Sequence, residues 1–291
     1  MKVAIISDIH GNMPALAAVT ADLDQWQPDH VIVNGDVVNR GPLSGDCLAF
    51  IRQRQQTDGW QMVRGNHEDY VLDCASGELA DSGPSYEINR FAYFAYAQLN
   101  GRTDTLANLP DTVGLTAPDG SELRATHASM RHNRDGIYPK TTDDELRAQI
   151  APAPVVFVTA HTHRPLIRRI DDTLVVNVGA VGSPFDGDRR ACYGRFAWTP
   201  TTGWEAELRR VSFDTERVER DYVDSGFLEE GGPLAQLMLV ELRRAGGLIY
   251  RWASRYQDAV LKGDISITAS VRDLLGDEDL RPFLGPPGWV V

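Results

Sequence analysis

The chain has 291 residues, of which 24% are charged, and it carries a formal net charge of −12 at pH 7 with a pI near 5.0. This length suits one layered α/β domain with an appendage, and the acidic surface excludes general nucleic-acid binding because it repels phosphates. The three cysteines are too widely spaced for a disulfide scaffold. No apolar stretch approaches the roughly 18 residues of a membrane span. We therefore expect a cytoplasmic protein without membrane contact.

Short apolar runs alternate with helical patterns through the first half of the chain. The predicted strands are Val3–Ser7, Val31–Asn34, Gln61–Arg64, Leu123–Thr126 and Val155–Thr159. The predicted helices are Met13–Trp26, Leu43–Gln55, Asn66–Cys74, Ser85–Leu99 and Thr142–Ile150. Because strands and helices alternate, the sequence predicts a layered α/β sheet.

After the predicted helix Thr142–Ile150 and strand Val155–Thr159, the pattern changes from alternating strands and helices to paired strands. Leu166–Ile170 and Leu174–Asn177 flank two aspartates, and Tyr193–Trp198 and Glu205–Phe213 flank a Pro-Thr-Thr-Gly turn. Both pairs are typical of β-hairpins. We infer a second, antiparallel sheet packed on the first, which gives a sandwich with helices outside.

Beyond Phe213 the composition becomes charged and helical. The predicted helices here are Thr215–Tyr222, Pro233–Arg244 and Leu248–Leu261. The final stretch, Asp264–Val291, has no sustained periodicity and is interpreted as a docked tail or a partly disordered one. These features predict a first domain over residues 1–213 and a C-terminal helical extension with a tail over residues 214–291.

One apolar stripe in the extension has several interpretations. Its residues are Leu234, Leu237, Met238 and Leu242. Such a stripe fits an oligomer contact, a cover for a pocket, or packing on the body of the same chain. The sequence leaves the oligomeric state open.

Polar motifs follow the predicted strands, and five of the seven histidines lie inside them. The motifs are Asp8-Ile9-His10, Gly35-Asp36, Gly65-Asn66-His67-Glu68, His127 and His161-Thr162-His163. Loops at the carboxyl ends of strands converge in open α/β sheets, and the Asp36 carboxylate has two oxygens with which to bridge two cations about 3.5–4 Å apart. Mixed oxygen and nitrogen donors favour Mn, Fe, Zn or Ni over Ca or Mg. The sequence therefore predicts a two-metal centre.

These motifs resemble those of the calcineurin-like metallophosphoesterases, a superfamily that includes Ser/Thr protein phosphatases, bacterial phosphodiesterases and dinucleoside tetraphosphate hydrolases. The segments that carry the resemblance are Asp8-Ile9-His10-Gly11-Asn12, Gly35 to Pro42, Arg64 to Glu68, His127, His161-Thr162-His163 and Asn177 to Gly182. The resemblance covers roughly residues 1–213. It implies that this part is the catalytic domain, with a four-layer α/β/β/α sandwich.

The resemblance also implies a ligand set and a mechanism. One metal is assigned to Asp8, His10, Asp36 and His163, and the other to Asp36, Asn66, His127 and His161. Two divalent transition metals are expected, with Mn first and Fe, Zn or Ni as alternatives. A hydroxide that bridges them would attack phosphorus, while His67 protonates the leaving oxygen and Arg40 clamps the phosphate.

Departures from the family pattern guide the choice of substrate. In the protein phosphatases an aspartate stands where this chain has Asn39, and an amide cannot stabilise an imidazolium as a carboxylate does. We therefore expect a small phosphodiester or nucleotide polyphosphate as substrate. A phosphomonoesterase or protein phosphatase is the alternative, and a scaffold that binds a partner without catalysis is a third hypothesis.

Two glycines of the family pattern are replaced in this chain by Ala128 and Ala160. The loop around Arg134 either contacts the substrate or is solvated.

Overall fold

The computed structural model describes residues 1–285 of the chain. Its strands are β1 (Lys2–Ile6), β2 (His30–Val33), β3 (Gln61–Met62), β4 (Thr112–Thr116), β5 (Glu122–Thr126), β6 (Val156–Thr159), β7 (Leu166–Ile170), β8 (Thr173–Asn177), β9 (Ala191–Thr199) and β10 (Gly203–Val211). The helices up to residue 150 are α1 (Met13–Trp26), α2 (Ser44–Asp58), α3 (Asn66–Ser76), α4 (Gly83–Gln98), α5 (Asp104–Ala107) and α6 (Asp143–Ile150). Every strand and helix predicted for this region overlaps an observed one, whereas the short edge strand β4 was not predicted.

The strands form two five-stranded sheets, in the orders β10-β9-β1-β2-β3 and β4-β5-β6-β8-β7. In the first sheet β1, β2 and β3 are parallel, and β9 runs antiparallel to β1. In the second sheet β5, β6 and β8 are parallel, and β4 and β7 form antiparallel edges. This confirms the predicted α/β fold class with two packed sheets.

The predicted composition of the second sheet was wrong. Of the two predicted hairpins, β9–β10 joins the first sheet through β1 and β7–β8 joins the second. The second sheet also contains β5 and β6, which were predicted for the first sheet, and it is mixed rather than antiparallel. A hairpin pattern specifies the pairing of two neighbouring strands, but it does not specify which sheet receives them. Both faces of β9 are buried, as expected beside the central strand β1, because Tyr193 packs in the cluster with α1 and α2 and Phe196 packs between the sheets.

Three apolar layers hold the sheets and their helices together. The layer between the two sheets contains Val3 and Ile5 of the first sheet and Val156 and Val176 of the second. A second layer joins the outer face of the first sheet to α1 and α2, and a third joins the second sheet to α6. Helix, sheet, sheet and helix therefore follow one another through the molecule.

The C-terminal segment is helical through most of its described length. Its helices are α7 (Thr215–Asp224), α8 (Phe227–Glu230), α9 (Leu234–Arg244), α10 (Ile249–Trp252), α11 (Asp258–Lys262) and α12 (Ile267–Leu275). A π-helical turn, Ala253–Gln257, links α10 to α11, and a 3₁₀-helix, Glu278–Phe283, follows α12. Within residues 1–285 no helix combines the length and apolarity that crossing a membrane requires.

The predicted tail contains structure that the sequence analysis missed. The apolar side chains Ile267, Val271 and Leu274 recur at helical spacing in α12 and are buried. This periodicity is short and is followed by prolines and glycines, which are typical of loops. Up to residue 285 the segment is docked on the C-terminal helices, and residues 286–291 lie outside the described part of the chain.

The C-terminal helices share an apolar cluster with α3 and α4. Phe91 and Phe94 of α4 pack in the same cluster as Leu237, Trp252 and Leu274. The stripe predicted on α9 is buried there, because its four residues are at most 4% exposed. Packing on the body of the same chain therefore accounts for the stripe. The boundary at residue 213 stays a prediction.

Candidate metal centre

The predicted ligands lie on loops that leave the strands in an unusual backbone conformation. Asp8 and His10 follow β1, Asp36 follows β2, and His161 and His163 follow β6. All five have positive φ angles, between 49° and 64°. Residues other than glycine rarely adopt this conformation, and it concentrates at functional sites where the surrounding structure holds it. The side chains of these loop residues converge at the carboxyl ends of the parallel strands of the two sheets.

The first group of donors consists of Asp8, His10, Asp36 and His163, and all four are buried. One donor atom from each lies within 4.8 Å of the others. His163 Nε2 lies 3.2 Å from Asp8 Oδ1 and 3.2 Å from His10 Nε2. Four donors at this spacing have the size of a coordination sphere.

The second group consists of Asp36, His127 and His161, with their donor atoms again within 4.8 Å of one another. Asn66, the first residue of α3, adds its Oδ1, which lies 3.1 Å from His127 Nε2 and 2.8 Å from His161 Nδ1. Asp36 belongs to both groups, so its carboxylate lies between them. The structure thus brings together all seven residues that the sequence analysis named as ligands.

Backbone carbonyls orient three of the histidines. His10 Nδ1 lies 3.2 Å from the carbonyl oxygen of Asn39, and His127 Nδ1 lies 2.8 Å from that of Asn34. His163 Nδ1 lies 2.5 Å from the carbonyl oxygen of Ser183. A carbonyl only accepts, so each Nδ1 carries a proton, and each Nε2 faces the centre, where it offers a lone pair whenever the ring is neutral.

Two carboxylate oxygens at the centre lack hydrogen-bond donors. Asp8 Oδ1 and Asp36 Oδ2 are buried and accept no hydrogen bond from any residue between 1 and 285, although imidazole nitrogens approach both to 3.2 Å. A buried ionised oxygen without a partner is costly unless a cation compensates it. The residues present therefore fit two divalent cations.

The charges at the centre are unevenly distributed over its histidines. Burial lowers the pKa of His10 to about 3 and that of His161 to about 4. Burial also opposes protonation of His127, but the charge of Asp36 outweighs it and raises the pKa of His127 to about 10. His127 also holds the pKa of Asp36 well below 3.8 despite burial. Without cations, His127 is the positive charge that balances the carboxylates, and the other two imidazoles are neutral.

Glu68 is a buried carboxylate whose role the sequence analysis missed. Its oxygens accept hydrogen bonds of 2.8 Å from the backbone N–H groups of Gly65, Asp36 and Val37. It thereby joins the loop after β2 to the start of α3. A Cβ on Gly65 would lie 2.2 Å from Asp36 Oδ1, so only glycine allows this approach. In the sequence, Glu68 is visible only as an acidic residue directly after the Gly-Asn-His triplet. An exposed acidic residue in the first turn of a helix would look the same.

His67 lies beside the donors, and Asn39 sets its tautomer. The ring of His67 contacts that of His10 edge-on at a centroid distance of 4.9 Å. Asn39 Oδ1 accepts a hydrogen bond from the backbone N–H of Arg40, which leaves its Nδ2 group facing His67 Nδ1 at 3.0 Å. An amide NH₂ group only donates, so His67 Nδ1 accepts and its proton is on Nε2. Burial lowers the pKa of His67 well below its usual value, so the ring is neutral.

Arg40 lies at the rim of the centre and is held by the C-terminal helices. Its guanidinium lies 5.8 Å from the ring centre of Phe185, and Phe185 stacks on His163 at 4.3 Å. Its Nη2 lies 2.5 Å from Glu241 Oε2 on α9. Nothing in the sequence linked Glu241 to this site, because the two residues are 201 positions apart.

The loop after His127 borders the other side of the centre. Arg134 lies over the ring of Tyr70 at 4.7 Å, and Tyr70 contacts the ring of His67 at 5.3 Å. Asn133 Nδ2 donates to Asp69 of α3 at 2.6 Å, which ties the loop to the helix that carries His67. The structure thus places Arg134 two rings away from the donor groups. Ala128 and Ala160 are fully buried beside the ligand loops.

Relatives of this chain include one protein of unknown activity and one nucleotide hydrolase. The uncharacterized protein MJ0912 of Methanocaldococcus jannaschii is 25% identical over 233 residues, which are 74% of this chain and 89% of that protein. The symmetrical bis(5'-nucleosyl)-tetraphosphatase of Yersinia enterocolitica is 35% identical over 79 residues, which are 26% of each chain. The second likeness therefore spans about a quarter of the tetraphosphatase.

Solved structures show the same fold. A metallophosphoesterase from Sphaerobacter thermophilus aligns with a TM-score of 0.62 and 24% identity, over 84% of this chain and 100% of that one. The hypothetical protein PH1004 from Pyrococcus horikoshii aligns with a TM-score of 0.66 and 19% identity, over 79% of this chain and 95% of that one. The sequence model of the calcineurin-like phosphoesterases matches residues 1–193. This match includes all the donor residues and ends before α7.

Proposed function

The chain belongs to the calcineurin-like phosphoesterase family and is a hydrolase of phosphate esters, and from this premise we propose that it is a dinuclear metal-dependent enzyme that cleaves phosphodiesters or nucleotide polyphosphates. The observation that carries the proposal is the pair of donor groups that share Asp36. A carboxylate common to two sites is what a two-metal hydrolase requires.

The proposed ligands follow the two donor groups. One cation would be held by Asp8, His10, Asp36 and His163, and the other by Asp36, Asn66, His127 and His161. When bound, two divalent cations supply Lewis acidity toward phosphoryl oxygens and lower the pKa of water. Mn²⁺ is our first candidate, since the donors are carboxylate, amide oxygen and imidazole. Glu68 holds Asp36 and the start of α3 in register through backbone hydrogen bonds.

Two residues beside the donor groups are proposed to act on the substrate. His67 carries its proton on Nε2, and we assign the neutral ring a hydrogen bond to the leaving oxygen, which it can protonate fully only from its doubly protonated form. Arg40 Nε is buried and has no hydrogen-bond partner among the described residues, and we assign it a phosphoryl oxygen. The ring of His67 contacts that of His10, and the positive charge of Arg40 lowers the pKa of both histidines.

The choice of substrate follows from the neutral state of His67. A neutral imidazole with Asn39 behind it gains little support for a positive charge, so it assists best when the leaving group needs little protonation. Phosphoanhydrides and aryl esters have such leaving groups. The partial likeness to a symmetrical bis(5'-nucleosyl)-tetraphosphatase supports the same class.

The test is an activity panel with Mn²⁺ on bis(p-nitrophenyl) phosphate, p-nitrophenyl phosphate, a dinucleoside tetraphosphate and a phosphoserine peptide. We expect the diester or the dinucleotide to have the highest kcat/KM. Asp36→Asn removes one ionised oxygen from both donor groups and should lower activity at least about 100-fold. Asp172→Asn, at an exposed turn between β7 and β8, is the matched control and should be indistinguishable from wild type.

The panel also decides between the alternatives. Preference for the monoester or the phosphopeptide would replace the proposal with a phosphatase. No hydrolysis of any of the four substrates, together with no bound transition metal, would leave a binding scaffold as the remaining function.

A further inference from the structure

We infer that Glu241 of the C-terminal helices is a positioning residue that holds Arg40 in the catalytic site. The inference rests on the proposed role of Arg40 as a phosphate ligand and extends it to a residue outside the part of the chain that matches the family model, residues 1–193. It gives the C-terminal helices a function in the reaction.

Glu241 is fixed at both of its oxygens. Oε2 accepts a hydrogen bond from Arg40 Nη2 at 2.5 Å, and Oε1 accepts one from the backbone N–H of Ile249 at 2.8 Å and another from that of Leu248. Its side chain is 1% exposed. Because the backbone at the start of α10 holds one oxygen, the other can fix a guanidinium in a single position.

Arg40 needs such a tether because its own loop does not bury it on all sides. Its backbone has a φ of 63°, in the left-handed region, and its guanidinium lies beside Phe185 and Glu241 of α9. An arginine without a partner samples many rotamers, and fixing it beforehand removes an entropic cost of binding. Glu241 binds Nη2, while Nε and Nη1 form no hydrogen bond within the described structure and Nε is the buried one of the two.

A competing interpretation makes the opposite prediction. A carboxylate that pairs with Arg40 could compete with the phosphate for the same guanidinium, so that its removal would tighten substrate binding. The anchoring of Oε1 by two backbone N–H groups favours a fixed support over a displaceable competitor. The sign of the change in KM separates the two.

The experiment compares wild type, Glu241→Gln, Arg40→Ala and the double variant with Mn²⁺ and bis(p-nitrophenyl) phosphate. Glu241→Gln keeps an oxygen for the Leu248 and Ile249 N–H groups but loses the charge that faces Arg40. We expect its kcat/KM to fall about 10-fold, mainly through KM. In the Arg40→Ala background the same substitution should change kcat/KM by less than about twofold, because Glu241 acts through Arg40.

A second readout keeps the inference separate from the proposed hydrolysis. Calorimetric binding of inorganic phosphate to the Mn²⁺-loaded protein should weaken about 10-fold in Glu241→Gln, whether or not the diester is turned over. A wild type that binds phosphate without hydrolysing any substrate would overturn the proposed hydrolysis and leave this inference standing. A wild type that does neither would overturn both.

Controls address folding. Asp277→Asn removes another carboxylate of the C-terminal segment, which pairs with Arg251 and Arg255, and should leave KM unchanged. Glu241→Asp keeps the charge but shortens the side chain by one methylene, so it should raise KM as well. A lower KM in Glu241→Gln, an unchanged KM in both Glu241 variants, or additive effects in the double variant would overturn the inference.

Discussion

The amide of Asn39 determines which ring nitrogen of His67 carries the proton. Since Asn39 Nδ2 donates to His67 Nδ1, the imidazole proton is on Nε2. A carboxylate in the same place would instead accept from Nδ1 and stabilise the doubly protonated ring. In the role proposed for His67, one side-chain atom therefore separates a neutral hydrogen-bond donor, suited to good leaving groups, from a charged acid suited to poor ones.

The variant Asn39→Asp should make the enzyme less dependent on its leaving group. We expect kcat for diesters with poor, alkyl leaving groups to rise about 10-fold relative to those with aryl leaving groups, because a positioned acid contributes most when the leaving oxygen is basic. The measurement is the slope of log kcat against leaving-group pKa over a series of phosphodiesters with Mn²⁺.

Asn108→Asp, an exposed change after α5, is the control and should keep the wild-type slope. An unchanged slope in Asn39→Asp would remove Asn39 from the account of substrate choice.

For individual residues, the sequence predicted which donor residues lie together, but it did not predict the residues that hold them in place. The seven donors lie in short motifs at strand ends, so their convergence follows from the topology of open sheets. Glu68 and Glu241 show no such pattern, since one is indistinguishable from a helix surface residue and the other is distant along the chain. Their roles depend on the final fold, which no local pattern encodes.

Among the elements, α1 and the hairpin β9–β10 are joined by one carboxylate. Asp22 of α1 accepts hydrogen bonds of 2.7 Å from the Tyr193 hydroxyl and from Arg195, and one of 3.1 Å from Arg209. Burial opposes ionisation of Asp22, but these donors outweigh it and hold its pKa below 3.8. The ionised carboxylate thus fastens a helix to a hairpin whose sheet the sequence analysis had misassigned.

The variant Asp22→Asn should cost stability at neutral pH and little in acid. Because the folded-state pKa is lowered, the contribution of Asp22 is complete above the ordinary carboxyl pKa and is lost as the pH falls through the folded-state value. We expect the free energy of unfolding to drop by about 2 kcal/mol near neutral pH. The difference from wild type, measured by urea denaturation, should shrink toward about pH 3.

Asp24→Asn on the same helix is the control, because Asp24 is 58% exposed in its pair with Arg54. It should change the free energy of unfolding by less than about 0.5 kcal/mol. A loss for Asp22→Asn that is equally large in acid would show that packing, not charge, joins the elements.

For the whole molecule, the candidate metal centre lies where the two sheets meet. Asp8 and Asp36 come from the first sheet, and His127, His161 and His163 come from the second. The motifs and the alternation of elements were sufficient to predict this fold and family. They did not predict that the C-terminal helices pack on α4, because an apolar stripe shows that a face is buried but not what buries it.

Removal of metal should destabilise the whole protein. Without cations, the charge of His127 alone offsets the buried carboxylates of Asp8 and Asp36, and two bound cations would compensate these oxygens more fully. At a metal concentration about 1,000 times Kd, binding stabilises the folded state by about 4 kcal/mol. We expect Mn²⁺ to raise the Tm of EDTA-treated protein by roughly 5–10 °C in differential scanning calorimetry.

Asp36→Asn, which weakens both donor groups, should show at most a small Mn²⁺-dependent shift. Equal Tm values for wild type with EDTA and with Mn²⁺ would contradict a metal centre that links the sheets.

The position of β1 in its sheet has a consequence for biosynthesis. β1 pairs with β2 on one side and with β9 on the other. Since a ribosome delivers the chain from its N-terminus, the second edge of this apolar strand stays open until residues 191–199 have been made. An open edge invites pairing with other chains. The nascent polypeptide therefore passes through a long aggregation-prone interval, and chaperones that shield strand edges should determine how much of it is recovered when it is overproduced.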